Sequence, residues 1–193
     1  MMRSASISMS LSTCIKINKV NSYLPVSALK TIYYTLVYPY LTYGIILWGS
    51  TYKTYLTKLF IIHKKIVRSI LKINYREHSH PLFTCLTLVK LNDVYELEIG
   101  KFMYNYVHRS LPHYLSDIFT CTHDIHIHET RQSSHIRPFT SLIVKFSNSF
   151  LCKGPLIWNR IPFTIQQKKN IKSFAVSLKA IVVKGYEELA EAY

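Results

Sequence analysis

The chain has 193 residues, of which 49% are hydrophobic, and a formal net charge of +14. This composition excludes a disordered polymer and fits one domain with a real core or two small helical units. Residues 1–76 hold eleven of the 24 basic residues and none of the ten acidic ones. They therefore lack carboxylates to hold a divalent cation, which excludes a polymerase, phosphatase or metal-dependent nuclease site within them. A field of this sign attracts polyanions, either nucleic acid or an anionic membrane face.

The N-terminal segment, residues 1–15, is expected to be a flexible tail. It is serine-rich and mildly apolar, and it lacks the sustained apolar run of a signal peptide. The cysteines are widely spaced and form no C-x-x-C pair, so we expect reduced thiols in an intracellular protein, nuclear or cytoplasmic. These cysteines are Cys14, Cys85, Cys121 and Cys152.

Residues 31–52 form an uncharged run of 22 residues, long enough to cross a bilayer of about 30 Å. Pro39 lies at its centre and its six tyrosines are spread throughout rather than gathered at the two ends, which favours buried helices of a soluble domain. Membrane anchoring by residues 31–52 remains the alternative. Pro25 suits the first turn of a helix, and Pro39 predicts a kink near residues 35–38. Gly49 should end the second apolar segment, residues 40–48.

Residues 52–73 predict a strongly amphipathic helix. At 100° per residue, six cations fall within an arc of about 140° and the apolar residues fill the opposite arc, with Ile61 and Leu71 as exceptions. Solvated faces usually mix acidic with basic residues, whereas here nothing offsets the repulsion between like charges. An external anion is therefore the expected partner. The predicted nucleic-acid-binding residues are Lys53, Lys58, Lys64, Lys65, Arg68 and Lys72.

The remaining sequence predicts further helices and one long loop. A short helix should cover residues 82–89, and a longer one should begin at Asn92 or Asp93 and end before Pro112. Residues 142–146 alternate in a way that allows a short strand, with helix as the alternative. Ser173 is expected to cap a last helix. The fold class is therefore mainly α: a small helical bundle in residues 16–115, a histidine-rich polar loop in 116–140, a region with a short β-hairpin and a closing helix in 141–185, and an acidic tail in 186–193.

The histidine-rich loop contains ligand types that zinc prefers, but their spacing matches no structural zinc pattern, and we predict neither a metal nor a cofactor. The sequence also lacks a carboxylate dyad, a G-x-S-x-G elbow and a glycine-rich phosphate loop, so catalysis by this chain alone is not expected. The ligand types in question are Cys121, His123, His126, His128 and His135.

Five elements in order carry a family resemblance. The first is LKTIYYTLVYPYLTYGIILWGSTYKTYLTKL, residues 29–59, and the second is the basic stretch from His63 to Arg68. A helix start at residues 78–83, an H-x-H-x-T-R element at 126–131 and a G-x-x-x-W-N-x-x-P element at 154–162 follow, before a closing helix from residue 173. Over residues 16–183 the chain resembles the thumb and post-thumb region of reverse transcriptases from non-LTR retrotransposons, the jockey-like group of LINE elements.

The resemblance implies part of an RNA-directed DNA polymerase whose thumb grips the template and primer backbone. It also implies a palm domain as a partner in the parent protein. The palm motif with its paired aspartates is absent from these 193 residues, so no catalytic residue can be transferred onto this chain. The sequence thus predicts a non-catalytic C-terminal remnant that binds nucleic-acid backbones. Tyr52 and Tyr55 could stack on sugars or bases, while most other tyrosines are expected to pack internally. A decayed fragment with no activity is a further alternative.

Overall fold

The computed structural model of the protein describes residues 2–74, 76–122 and 135–191. It is mainly helical, as the sequence predicts. The chain divides into two compact units, unit 1 (Met1–Tyr95 with Ala180–Tyr193) and unit 2 (Glu96–Lys179). The sequence placed a boundary at residue 115 instead. The observed boundary falls inside a continuous helix with buried residues on both sides, and such a helix carries no linker signal.

Residues expected to form a flexible tail lie in the first helix, α1 (Met2–Val20), which packs along the basic helix α5 (Lys53–Leu71). Ile17 is fully buried and Cys14 is almost so. The apolar and polar residues of α1 are spread around it without a clear stripe, so periodicity gave no helix signal. Packing against a neighbour stabilises this helix, as it does most helices in globular proteins.

The long apolar segment departs from α-helical geometry just before Pro39, in the region where the sequence predicted a kink. After α2 (Val26–Ile32), a π-helical turn spans Tyr33–Val37 and is followed by α3 (Tyr38–Thr42) and α4 (Ile45–Trp48). The Tyr38 N–H bonds the Tyr33 carbonyl, five residues back, which widens the helix just before the proline ring. Gly49 follows the last residue of α4, also as predicted. In the part of the chain that the structure describes, no helix has both the length and the apolar content to span a membrane.

Helix α5 buries the arc that the sequence assigned to the core. Its buried apolar residues are Leu59, Ile62, Ile66, Val67 and Ile70, and His63 lies among them with 1% of its surface exposed. Ile61, one of the two residues that broke the pattern, is 46% exposed. The 3.6-residue period therefore predicted this helix and its orientation correctly.

Three helices of the chain end in the same way. After α5, α6 (His80–Cys85) and α7 (Leu91–Val107), one residue adopts positive φ: Lys72, Thr87 and Arg109 respectively. At each end two hydrogen bonds close a Schellman motif; after α5 they run from Lys72 N–H to the Ser69 carbonyl and from Ile73 N–H to the Arg68 carbonyl. None of the three positions is glycine, the residue that this conformation favours.

Unit 2 continues from α7 through a 3₁₀ turn (His113–Leu115), α8 (Val144–Ser147), α9 (Phe150–Arg160), α10 (Phe163–Gln166) and the start of α11 (Ile171–Glu191). Residues 144–147 are helical, so the strand considered for 142–146 is replaced by the helical alternative. The described β structure consists of one antiparallel bridge between Cys121 and Ile136. Asn170 caps α11 in place of Ser173, because its Oδ1 accepts the Lys172 N–H at 2.9 Å.

The G-x-x-x-W-N-x-x-P element has a packing role within unit 2. Trp158 is 4% exposed and lies against Phe174, with ring centroids 5.9 Å apart. Asn159 bonds both backbone groups of Ile136, donating to its carbonyl at 2.9 Å and accepting its N–H at 3.2 Å. The residues on either side of Ile136 form backbone hydrogen bonds to the facing segment across the bridge. The N–H and carbonyl of Ile136 itself point away from that segment, and Asn159 satisfies both.

Candidate functional site

The basic side of α5 is the candidate site, and Lys58 and Lys65 are exposed on it. They lie seven residues apart, so they stack along one line of the helix at a spacing of about 10.5 Å. The Schellman motif turns the chain at Lys72, whose exposed side chain extends the same group at the end of the helix. Cations arranged in this way can neutralise backbone phosphates without reading a base sequence.

Lys64, also a predicted site residue, lies apart from this group. Its ammonium sits 4.3 Å from the centroid of the Phe60 ring, one turn earlier on the helix, in a cation–π contact. Lys64 also affects Lys90. Burial lowers the Lys90 pKa, the Asp93 carboxylate raises it, and the positive charge of Lys64 lowers it further. The predicted six-residue face is therefore not uniform, since the Lys64 ammonium lies over Phe60 and close enough to Lys90 to affect its pKa. The Lys53 side chain lies outside the described parts of the structure.

The tyrosines of unit 1 are more exposed than the sequence predicted. Tyr52 and Tyr55 at the start of α5 are 67% and 58% exposed, as a stacking role requires. Tyr23 and Tyr43 are exposed too, whereas Tyr33 is fully buried. Packing thus accounts for fewer of these side chains than we expected.

A cleft of about 460 Å³ opens where the last turns of α5 meet the end of α1. It brings together three of the predicted cations, Lys65, Arg68 and Lys72. Sequence reasoning missed the neutral polar residues of this cleft, because most of them lie at the end of α1 and in the turn after it, and the sequence predicted no helix there. These neutral residues are Asn18, Asn21, Ser22 and Ser69, with Ile73 as the apolar member.

Hydrogen bonds hold the neutral side of the cleft in place. The Ser69 hydroxyl donates to Asn18 Oδ1, and Asn21 Nδ2 donates to the Ser69 carbonyl at 3.5 Å. Ser22 Oγ donates in turn to Asn21 Oδ1 at 3.3 Å. Burial raises the pKa of the Cys14 thiol in α1, and the positive charge of Lys65 opposes that rise. Lys65 therefore also lies close to α1. The end of α1 is therefore fastened to α5 where the cations gather.

The Arg68 guanidinium is oriented by a backbone group. Its Nε and Nη2 donate to the Glu77 carbonyl at 3.0 and 2.9 Å. Guanidinium has five N–H donors, so this fork leaves three for another acceptor. Arg68 thus faces the cleft with its side chain already ordered.

The histidine-rich loop lies largely outside the residues that the structure describes. His123, His126, His128 and Arg131 lie outside the described residues. Among the residues that are described, no group of three or more His, Cys, Asp or Glu side chains could hold a metal ion. The chain matches no protein-family model, no curated protein and no solved structure.

Proposed function

We propose that this chain is a non-catalytic nucleic-acid-binding segment that grips the sugar–phosphate backbone through the basic side of α5. The observation that carries the proposal is the group formed by Lys58, Lys65, Arg68 and Lys72 in a stretch of 76 residues without one carboxylate. Positive groups of this kind bind backbones independently of sequence and release condensed counterions as they do so.

We further propose that the chain corresponds to the thumb and post-thumb region of a non-LTR retrotransposon reverse transcriptase. The five ordered sequence elements support this origin. Trp158 and Gly154 of the G-x-x-x-W-N-x-x-P element are both buried, which suits a packing role for that element. In this proposal a palm domain with paired aspartates supplies the polymerase chemistry, and the chain contributes the grip on template and primer.

The test is the salt dependence of binding to a labelled DNA duplex and to an RNA–DNA hybrid, followed by fluorescence anisotropy. For B-DNA, log K should fall against log salt with a slope of about 0.9 for each phosphate neutralised. A triple variant, Lys58→Gln, Lys65→Gln and Lys72→Gln, should bind more weakly and show a slope shallower by about 2.7 if each lysine neutralises one phosphate.

The matched control removes the same charge from unit 2. Lys168, Lys169 and Lys172 are exposed there, so Lys168→Gln, Lys169→Gln and Lys172→Gln should leave both affinity and slope close to those of the unmodified chain. Equal losses in the two triple variants would show that net charge alone governs binding and would refute the assignment to α5.

A further inference from the structure

The cleft between α1 and α5 has a larger positive charge than one backbone phosphate requires. Three cations line it, and its other lining residues are neutral. Within the described chain, the ammonium groups of Lys65 and Lys72 have neither a hydrogen bond nor an ion pair to another residue. Arg68 uses two of its donors on the Glu77 carbonyl and keeps its full charge.

The C-terminal ends of α1 and α5 both disfavour a bound anion, because a helix C-terminus carries a partial negative charge of about half an electron. Cations at these ends therefore have a structural explanation of their own. In the Schellman motif, however, the carbonyls of Ser69 and Arg68 already accept the N–H groups of Lys72 and Ile73. Three full positive charges also exceed what two partial charges would balance, so positive charge remains for a ligand.

We propose that this cleft binds a phosphomonoester dianion carried on a nucleotide. A phosphodiester has one negative charge, whereas a phosphomonoester has about −1.5 to −2 near neutral pH and three acceptor oxygens. Lys65, Arg68 and Lys72 can supply one donor to each oxygen, and the amides of Asn18 and Asn21 lie beside them. The volume of the cleft is in the range of about 300–1,000 Å³ that small-molecule sites occupy. The ligand class rests on the proposed function, and its source is either a free nucleotide or the phosphorylated end of a strand.

The first experiment compares two single-stranded oligonucleotides of the same sequence, both labelled at the 3′ end, one with a 5′-phosphate and the other with a 5′-hydroxyl. The phosphorylated strand should bind about tenfold more tightly, the size expected for charged hydrogen bonds. Lys72→Gly should remove this preference, because it deletes a cleft cation without straining the left-handed backbone.

Arg109→Gly is the matched control, since it removes one positive charge at the same left-handed position of another Schellman motif, in unit 2. This variant should keep the preference for the 5′-phosphate. If both variants lose it equally, or if the unmodified chain has no such preference, strand ends are not the source of the ligand.

The second experiment titrates adenosine 5′-monophosphate and adenosine separately into ¹⁵N-labelled protein. The nucleotide should shift the side-chain amides of Asn18 and Asn21 and the backbone amides of Lys72 and Ile73, whereas adenosine should not. If adenosine 5′-monophosphate leaves all four residues unshifted and the 5′-phosphate adds no affinity, the cleft proposal is overturned. Binding of both oligonucleotides would then leave the proposed function standing. If adenosine 5′-monophosphate binds and neither oligonucleotide does, the cleft proposal stands and the proposed backbone binding is refuted.

Discussion

The phenol oxygen of Tyr33 lies 2.8 Å from Nε2 of His63, and the two rings stack with centroids 5.7 Å apart. Both residues are buried in unit 1, and Phe83 packs edge-on against the imidazole. Among the described residues, Nδ1 of His63 has no hydrogen-bond partner. Burial lowers the His63 pKa to about 3 and raises the Tyr33 pKa well above its usual value. A neutral hydrogen-bonded pair therefore connects the π-helical turn to the middle of α5.

Acid should destabilise unit 1 through His63. The unfolded imidazole titrates near its ordinary pKa of 6.5, so the unfolded chain takes up a proton that the folded chain refuses. The contribution to stability is complete above pH 6.5 and is lost as the pH falls toward 3, by up to about 1.4 kcal/mol per pH unit. Urea unfolding followed by Trp48 fluorescence, with Trp158 replaced by Phe, would measure this slope.

Two variants separate His63 from other titrating groups. His63→Phe should flatten the slope just below pH 6.5, while Tyr33→Phe should retain it because the buried imidazole is still present. A slope in His63→Phe that equals the slope of the unmodified chain would assign the acid sensitivity to other residues.

Replacing the non-glycine residues at left-handed positions should stabilise the chain. Lys72→Gly and Arg109→Gly remove the steric cost of a β-carbon at φ values of 58° and 51°, and each should raise stability by up to about 1 kcal/mol. Thermal unfolding followed by circular dichroism would measure the gain. Lys72→Ala and Arg109→Ala are the controls for loss of charge, and they should bring no such gain; equal melting temperatures for the Gly and Ala variants would contradict the steric explanation.

Gly49→Ala should destabilise unit 1 by about 1–3 kcal/mol through overpacking. Its φ of −68° suits any residue, so the cost is steric: the new β-carbon would overlap the Tyr95 ring and lie 2.6 Å from the Ile45 carbonyl oxygen. Gly185→Ala is the opposite case, because nothing lies within 4 Å of its β-carbon position in α11. That substitution should stabilise the chain by up to about 1 kcal/mol through helix propensity. Chemical denaturation of the two variants should give shifts of opposite sign.

Asn159→Leu should loosen the segment around Ile136. The change leaves two backbone groups of a buried residue without partners, at an expected cost of about 1–3 kcal/mol. Amide hydrogen exchange at Ile136 would detect the loss directly. Asn159→Asp keeps the acceptor for the Ile136 N–H and should preserve its protection, even though the lost donor lowers overall stability. Equal protection at Ile136 in the Leu variant and the unmodified chain would show that another group holds this amide.

Local chemistry made some elements predictable. The period of α5 identified its buried side because six residues at helical spacing pack on that side. Pro39 marked the π-helical turn before it because the ring has no N–H to donate and clashes with the preceding turn. Helix α1 was missed because its stability comes from burial of Ile17 and its neighbours against another helix, which no local pattern records. Asn170 rather than Ser173 caps α11, a difference of less than one turn that propensity cannot resolve.

The site was predictable only along one helix. Sequence spacing placed Lys65, Arg68 and Lys72 together, and the structure brings all three to one cleft. It grouped Lys64 with them as well, because an angular plot contains no information about the nearby Phe60 and Lys90. Asn18 and Asn21 join the site through contacts with Ser69, which is 51 and 48 residues away in sequence, and a single sequence does not report such contacts.

The position of the cleft, between two separate helices, links recognition to folding. Asn18 lies in α1, with Asn21 and Ser22 just after it, and the cations lie in α5 and at its end, so a ligand that contacts both sides can bind only while α1 is docked. Its binding then stabilises the docked state by RT ln(1 + [L]/Kd). The affinity of the cleft is therefore the intrinsic affinity multiplied by the fraction of molecules in which α1 is in place. A substitution at Ile17, which is fully buried and does not line the cleft, would weaken binding without removing a contact between the cleft and the ligand.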